Sequence, residues 1–156
     1  MIKIDIPAFG QVNLKYMVSD FTGTLSEDGK LLPGVKGRLN EIAKKLKIFV
    51  LTSDTFGTAA SELNRVDCTV QILSNKDVDV QKERFVKKLG PSCVVAIGNG
   101  NNDRKMVKTA RLGIIVTTKE GSAVSALMAA DISVKNPIDA LDLLLRPKRC
   151  KATLRY

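Results

Sequence analysis

Four polar clusters carry residue types that chemistry can use, each in or directly behind an apolar run. Asp20 follows Tyr16, Met17 and Val18 and opens the run Asp20-Phe21-Thr22-Gly23-Thr24. Thr52-Ser53-Asp54 follows Ile48 to Leu51. Gly98-Asn99-Gly100-Asn101-Asn102-Asp103 follows Val94 to Ile97. Lys82 lies in the first turns of an amphipathic run from Val78 to Leu89. Short apolar runs of this kind read as strands buried in a covered parallel sheet. Such sheets bind ligands just beyond the carboxyl ends of their strands. The clusters offer carboxylates, hydroxyls, amide oxygens and an amine. Phosphoryl transfer uses those parts. A carboxylate attacks phosphorus, hydroxyl, backbone and ammonium donors hold the phosphoryl oxygens, and a hard cation such as Mg²⁺ offsets the charge between two anions. The chain has no His, which excludes His-based triads, His-ligated zinc and a His general base.

The elements that must position these clusters follow from periodicity. Ile2 to Ile6 and Val12 to Tyr16 alternate apolar and polar residues around Pro7-Ala8-Phe9-Gly10, which predicts a hairpin over residues 1–16 whose second strand runs on to Asp20. Helices are expected over Gly34 to Leu46, Phe56 to Leu63, Val78 to Leu89, Asn102 to Ala110 and Ser122 to Ala129. Strands are expected over Ile48 to Leu51, Cys68 to Leu73, Val94 to Ile97, Leu112 to Val116 and Ile132 to Val134. Asn136-Pro137 caps and starts a last helix, while Glu27 and Asp28 lead into a turn at Gly29. The alternation predicts an α/β fold with a doubly wound, mostly parallel sheet. The 156 residues, 44% of them hydrophobic, suffice for one domain with a core. No apolar run approaches the ~20 residues needed to span a bilayer. The start, Met1-Ile2-Lys3-Ile4-Asp5, reads as a strand rather than a leader. Cys68, Cys93 and Cys150 lack C-x-x-C spacing and read as reduced thiols, so the expectation is a cytoplasmic protein without membrane contact. The formal charge is +9, and residues 146–156 form a basic stretch without an acid. That stretch reads as a solvated tail, as one docked on acidic surface, or as a nucleic-acid contact; it carries no interleaved aromatics for base stacking.

The run D-x-T-G-T at Asp20 resembles the first signature of the haloacid dehalogenase-like (HAD) phosphotransferases, in the variant found in P-type ATPases. Thr52-Ser53-Asp54 with Gly57-Thr58-Ala59 resembles the pump run T-G-D-x-x-x-T-A. Asn99 to Asp103 resembles the metal motif G-D-G-x-N-D. The order matches from about Lys15 to about Leu145, and the nearest subgroup is the small P-type-ATPase-like phosphatases. The resemblance implies a Mg²⁺-dependent phosphohydrolase. In it Asp20 is the nucleophile, Thr52, Ser53, Lys82 and Asn102 hold phosphate, and Asp20, the Thr22 backbone carbonyl, Asn99 and Asp103 hold the metal.

Three departures from the pattern shape the expectation. Thr22 stands where phosphatases of the family carry an acid that protonates the leaving group, which implies slow turnover. Asn99 replaces a carboxylate, which implies weaker metal binding. The intervals from Asp20 to Thr52 and from Thr52 to Lys82 hold little more than one helix and one strand each, so no cap domain is inserted. An open site suits a macromolecular phosphorylated substrate, or a lid lent by a second copy in a homo-oligomer. Simpler roles stay open for several residues. Asp20 and Thr52 can cap turns or helices, Lys76 can replace Lys82, and Asp54 can be a cap or a partner of Lys82. A non-catalytic phosphate- or metal-responsive module and a nucleic-acid binder stay open as other functions.

Overall fold

Alternate residues of the central strands enter two different cores. In the computed structural model, which describes residues 1–156, the chain opens with strands β1 (Ile2–Ile6) and β2 (Gly10–Leu14), paired antiparallel from Ile2 opposite Leu14 to Ile6 opposite Gly10. Lys15 ends this hairpin. Its amide donates to the Cys93 carbonyl and its own carbonyl accepts from Lys47, so the chain changes partners there. The expected single strand into Asp20 is therefore two strands, and the second, β3 (Tyr16–Ser19), belongs to the main sheet. A small antiparallel pair follows, β4 (Ser26–Glu27) and β5 (Lys30–Leu31). Asp28 and Gly29, at φ 49° and 74°, make its two-residue turn. Asp28-Gly29 thus builds a hairpin where only a turn was expected.

Next come α1 (Val35–Ala43), β6 (Lys47–Thr52), α2 (Ala59–Glu62), β7 (Thr69–Ile72) and α3 (Val78–Leu89). The second half runs through β8 (Val94–Gly98), α4 (Arg104–Thr109), β9 (Leu112–Val116), α5 (Val124–Leu127), β10 (Ile132–Val134), α6 (Pro137–Leu145) and α7 (Pro147–Leu154). Four helices, α1, α2, α4 and α5, are shorter than their periodicity suggests, and α2 and α5 keep only one turn each. The Asp54 carboxylate accepts the amides of Thr58 and Ala59 at 3.0 Å each, which starts α2 at Ala59 and leaves Phe56 half exposed. After Leu127 the amides of Ala129 and Ala130 bond three residues back, and the tighter turn ends α5. The basic residues 146–156 hold the whole of α7, whose Cys150 is fully buried and whose Arg149 reaches Asp142 at 3.5 Å.

The main sheet has the order β10-β9-β8-β3-β6-β7, parallel throughout. The chain lays β3, β6 and β7 outward on one side, crosses back through α3, and lays β8, β9 and β10 outward on the other. The order reverses between β3 and β8, which is where such sheets open a crevice. Met17, Val95, Ile97, Leu112, Ile114 and Val116 face the larger core, with α1, α6, Cys150 of α7 and the inner side of the β1–β2 hairpin. Val18, Val94, Ala96 and Ile115 face the smaller core, with α3, α4 and α5. No helix is long and apolar enough to cross a membrane.

Gly113 of β9 shows how closely α4 lies on this sheet, because a Cβ there would stand 2.5 Å from the Val107 carbonyl oxygen. Gly113→Ala is expected to cost about 1–3 kcal/mol of unfolding free energy in urea titrations. Gly37→Ala in α1, where nothing lies within 4 Å of the added carbon, is expected to be neutral or stabilising.

Candidate active site

Asp20 is the first residue past β3, and its amide still donates to the Ile97 carbonyl of β8 at 2.9 Å. The chain then turns sharply. The Phe21 carbonyl accepts the amides of Thr24, Leu25 and Ser26. Gly23, at φ 74°, is required twice over: the conformation is left-handed, and a Cβ would lie 2.5 Å from Asn99 Nδ2. This turn aims the Asp20 carboxylate, 6% exposed, into the crevice between β3 and β8.

Lys82 meets it there from α3. Its side chain is completely buried, and its Nζ donates to Asp20 Oδ1 at 2.6 Å and to Asp103 Oδ1 at 2.7 Å. Asp103 Oδ2 accepts the amides of Asn99 and Gly100 at 2.9 Å each, which closes the turn after β8. Gly98 makes room for that turn, since a Cβ on it would lie 2.4 Å from Asp103 Cβ. Lys76 is exposed and in no ion pair, and Asp54 caps α2 without touching Lys82.

The other candidates sit around this buried group. Thr52, the last residue of β6, is 1% exposed; its Oγ1 accepts the Asp54 amide at 2.9 Å, so its own proton is free to be donated. Ser53 follows it, half buried, and Asn102 is exposed at the rim. Asn99 Oδ1 accepts from Thr24 Oγ1 at 3.1 Å, and Asn99 Nδ2 donates to the Gly121 carbonyl at 3.2 Å. The Thr22 side chain is half buried. Its carbonyl accepts no hydrogen bond, unlike those of Phe21 and Gly23 on either side.

Sequence reasoning missed three participants. Thr24 is fully buried, with its hydroxyl 3.3 Å from Asp20 Oδ2 and 3.1 Å from Asn99 Oδ1. One proton faces two acceptors, so Thr24 ties the turn after β3 to the turn after β8. Thr118 donates to the Gly23 carbonyl at 3.0 Å, and Glu120 accepts the Asp28 amide at 2.8 Å. These last contacts join residues more than ninety apart in a loop without a motif, and no local signal marks them.

Two buried carboxylates share one ammonium. Burial and the neighbouring Asp103 charge push the Asp20 carboxyl up to about 7, against the lowering pull of Lys82. Burial alone would lower the Lys82 amine, but Asp103 and Asp20 outweigh it and hold the amine above its usual range. The group carries a net charge of about −1 when fully ionised, which favours an added cation. No cluster of three His, Cys, Asp or Glu side chains is present. The oxygens the chain offers a hard cation are Asp20 Oδ2, the Thr22 carbonyl, Asn99 Oδ1 and Asp103 Oδ1. Asp103 Oδ1 accepts one bond, from Lys82, and keeps a lone pair for a cation, as Asp20 Oδ2 and Asn99 Oδ1 do beside Thr24. The donor set is all oxygen and fits a cation such as Mg²⁺.

The raised Asp20 value has a definite sign in stability. The folded chain holds a proton that the unfolded chain, near 3.8, has already released. Stability from this group is therefore present at low pH and is lost as pH rises from about 4 to about 7. For metal-free protein, the unfolding free energy of the wild type relative to Asp20→Asn is expected to fall by up to ~1.4 kcal/mol per pH unit across that window. Urea melts at several pH values check this, and a difference independent of pH would refute it.

No protein-family model matches the chain. It is 47% identical over 77 residues to an uncharacterized protein of Methanocaldococcus jannaschii, a match spanning 49% of this chain and 77% of that protein. It is 25% identical over 134 residues to the ATP-binding subunit of a potassium-transporting ATPase from Thermoplasma volcanium, covering 85% of this chain and 20% of that subunit. Among solved structures, it resembles 3-deoxy-D-manno-octulosonate 8-phosphate phosphatase of Moraxella catarrhalis, in complex with magnesium, phosphate and KDO. That likeness has TM-score 0.69, 16% identity, and 92% and 95% of the two chains covered. The cobalt-bound phosphatase for deoxy-D-mannose-octulosonate 8-phosphate from Haemophilus influenzae gives TM-score 0.71 at 11% identity, over 92% and 94%. A Legionella pneumophila protein assigned to the HAD superfamily, subfamily III A, gives TM-score 0.65 at 14% identity, over 90% and 87%. With that sheet order and those neighbours, the chain has the fold of the HAD-like hydrolases, and it belongs to the same family as the uncharacterized Methanocaldococcus jannaschii protein.

Proposed function

We propose that this chain is a Mg²⁺-dependent phosphohydrolase that works through an aspartyl-phosphate at Asp20, in the manner of P-type-ATPase-like phosphatases. The observation that carries the reading is the buried Lys82 ammonium bridging Asp20 and Asp103 at the switch point of the sheet. The 25% identity to an ATPase subunit supports the pump-like variant. The likeness to octulosonate-phosphate phosphatases supports phosphate-ester chemistry.

The chain's own groups divide the work. The Asp20 carboxylate attacks phosphorus, and the bond to the leaving oxygen breaks with its electron pair on that oxygen. Lys82 and the free hydroxyl protons of Thr52 and Ser53 hold the phosphoryl oxygens as charge builds on them. Asn102 contributes from the rim. Asp103 acts through Lys82, holding the ammonium toward Asp20. Water then cleaves the acyl phosphate and restores Asp20. Mg²⁺, held by Asp20, the Thr22 carbonyl, Asn99 and Asp103, would offset the repulsion between carboxylate and phosphate. Thr22 offers no carboxylic acid to protonate the leaving group or to activate water, so hydrolysis of the intermediate is slow.

Two measurements test this. Release of p-nitrophenol from p-nitrophenyl phosphate is expected to require Mg²⁺ and to disappear in Asp20→Asn. No release, or release indifferent to Asp20, would overturn the phosphohydrolase reading in favour of a phosphate-responsive binding module. Thr22→Asp is expected to speed breakdown of the phosphorylated intermediate by ~10²-fold or more. An unchanged decay rate in a chase experiment would remove this account of Thr22.

A further inference from the structure

We infer that the substrate is a phosphorylated protein segment, and that residues flanking its phosphorylated side chain dock along a trough beside α4 and α5. This rests on the phosphohydrolase reading and deepens it. The inner end of the trough holds Asn102, which directly precedes the buried Asp103 in the turn after β8. Its inner stretch, of about 590 Å³, is lined by Asp77, Asp79, Asn102, Arg104 and Ser125. Its outer stretch, of about 500 Å³, shares Arg104 and Ser125 and continues past Lys105, Lys108 and Met128. The shared residues make the two stretches one path away from the crevice.

Charge and exposure select the occupant. The outer stretch has three cations and no acid. Lys105 is drawn to Asp79 at 2.8 Å, while Arg104 and Lys108 have no ion pair. An acidic side chain complements them. Met128 lines the outer stretch with these cations and is 80% exposed; Val124, 74% exposed, lies one turn earlier on the same face of α5. Exposed Met next to Val suits an apolar side chain of varied shape, because the thioether is flexible and polarizable. No cap domain covers the crevice, so a chain can lie across it.

The same features disfavour a nucleic acid. Asp77 and Asp79 line the inner stretch beside Asn102, where they repel a phosphate backbone. The trough also lacks an aromatic ring for base stacking. A peptide meets neither obstacle if its acidic residue is set apart from the phosphorylated one. A small phosphate ester would fill only the inner stretch and would not sense Lys108 or Met128.

The test compares kcat/KM for three probes in the presence of Mg²⁺. They are a synthetic phosphoserine peptide flanked on both sides by Glu and Leu beyond Gly-Ser spacers, the same peptide with Lys and Ser in place of Glu and Leu, and a 5′-phosphorylated oligonucleotide. Each is measured for the wild type and for Lys108→Glu/Met128→Glu, with p-nitrophenyl phosphate as the common reference. The wild type is expected to favour the Glu/Leu peptide roughly tenfold, a scale that exposed ion pairs and one apolar contact can supply. The double variant is expected to lose that preference and keep its p-nitrophenyl phosphate turnover. Equal peptide rates, a preference for the oligonucleotide, or a variant that keeps the peptide preference would overturn the inference alone. Wild-type protein inert toward p-nitrophenyl phosphate as well as the peptides would overturn the phosphohydrolase reading and this inference together.

Discussion

The structure is organised around a fully buried ammonium. Lys82 has no exposed side-chain surface, and a charge so placed is tolerated only with partners at hydrogen-bond distance. Asp20 and Asp103 provide them, and that requirement reaches outward. Helix α3 must lie against the sheet with Lys82 pointing to the gap between β3 and β8. The turn after β3 must be tight enough to bring Asp20 under the ammonium, and Gly23 makes that turn. The turn after β8 must fold Asp103 back over Gly98, where any side chain would collide with it. Burial, with the residual negative charge that two carboxylates leave beside one ammonium, raises the Asp20 pKa to about 7.

The two cores explain why this arrangement can be rigid. The central strands are buried on both faces, and the β1–β2 hairpin and α7 thicken one side. The crevice edge is therefore backed by packed strands, while its mouth is built from loops. The β4–β5 hairpin at that mouth is tied down from two directions. Glu120 accepts the Asp28 amide on one side; on the other, Glu62 accepts the Leu31 amide and Thr58 donates to the Gly29 carbonyl. The loop after β9, which carries Glu120 and Gly121, also holds the Asn99 amide. The neutral Asn at position 99 thus has a structural use that a carboxylate could not fill, since only an amide can donate to Gly121.

Much of this was legible before folding. Short apolar runs marked β6, β8 and β9, because a strand covered on both faces is apolar nearly throughout. Asp20, Thr52 and Asp103 stood out by their places behind apolar runs and Lys82 by its place in the first turns of an amphipathic helix, and the structure gathers Asp20, Lys82 and Asp103 into direct contact. Helix limits were less legible. The starts of α2 and the small hairpin depend on side-chain capping and positive φ values that periodicity does not register.

Composition, periodicity and residue order alone determined the α/β class, the alternation of elements and the set of polar residues facing the strand ends, because burial patterns are local. Only the tertiary structure decided how those residues divide their work. It turned Asp103 toward Lys82, passed over the exposed Lys76, assigned Asp54 to a helix cap, and brought Thr24, Thr118 and Glu120 to the crevice. Apart from the local Asp54 cap, those outcomes depend on distances between residues far apart in the chain, and no spacing rule along a sequence encodes them.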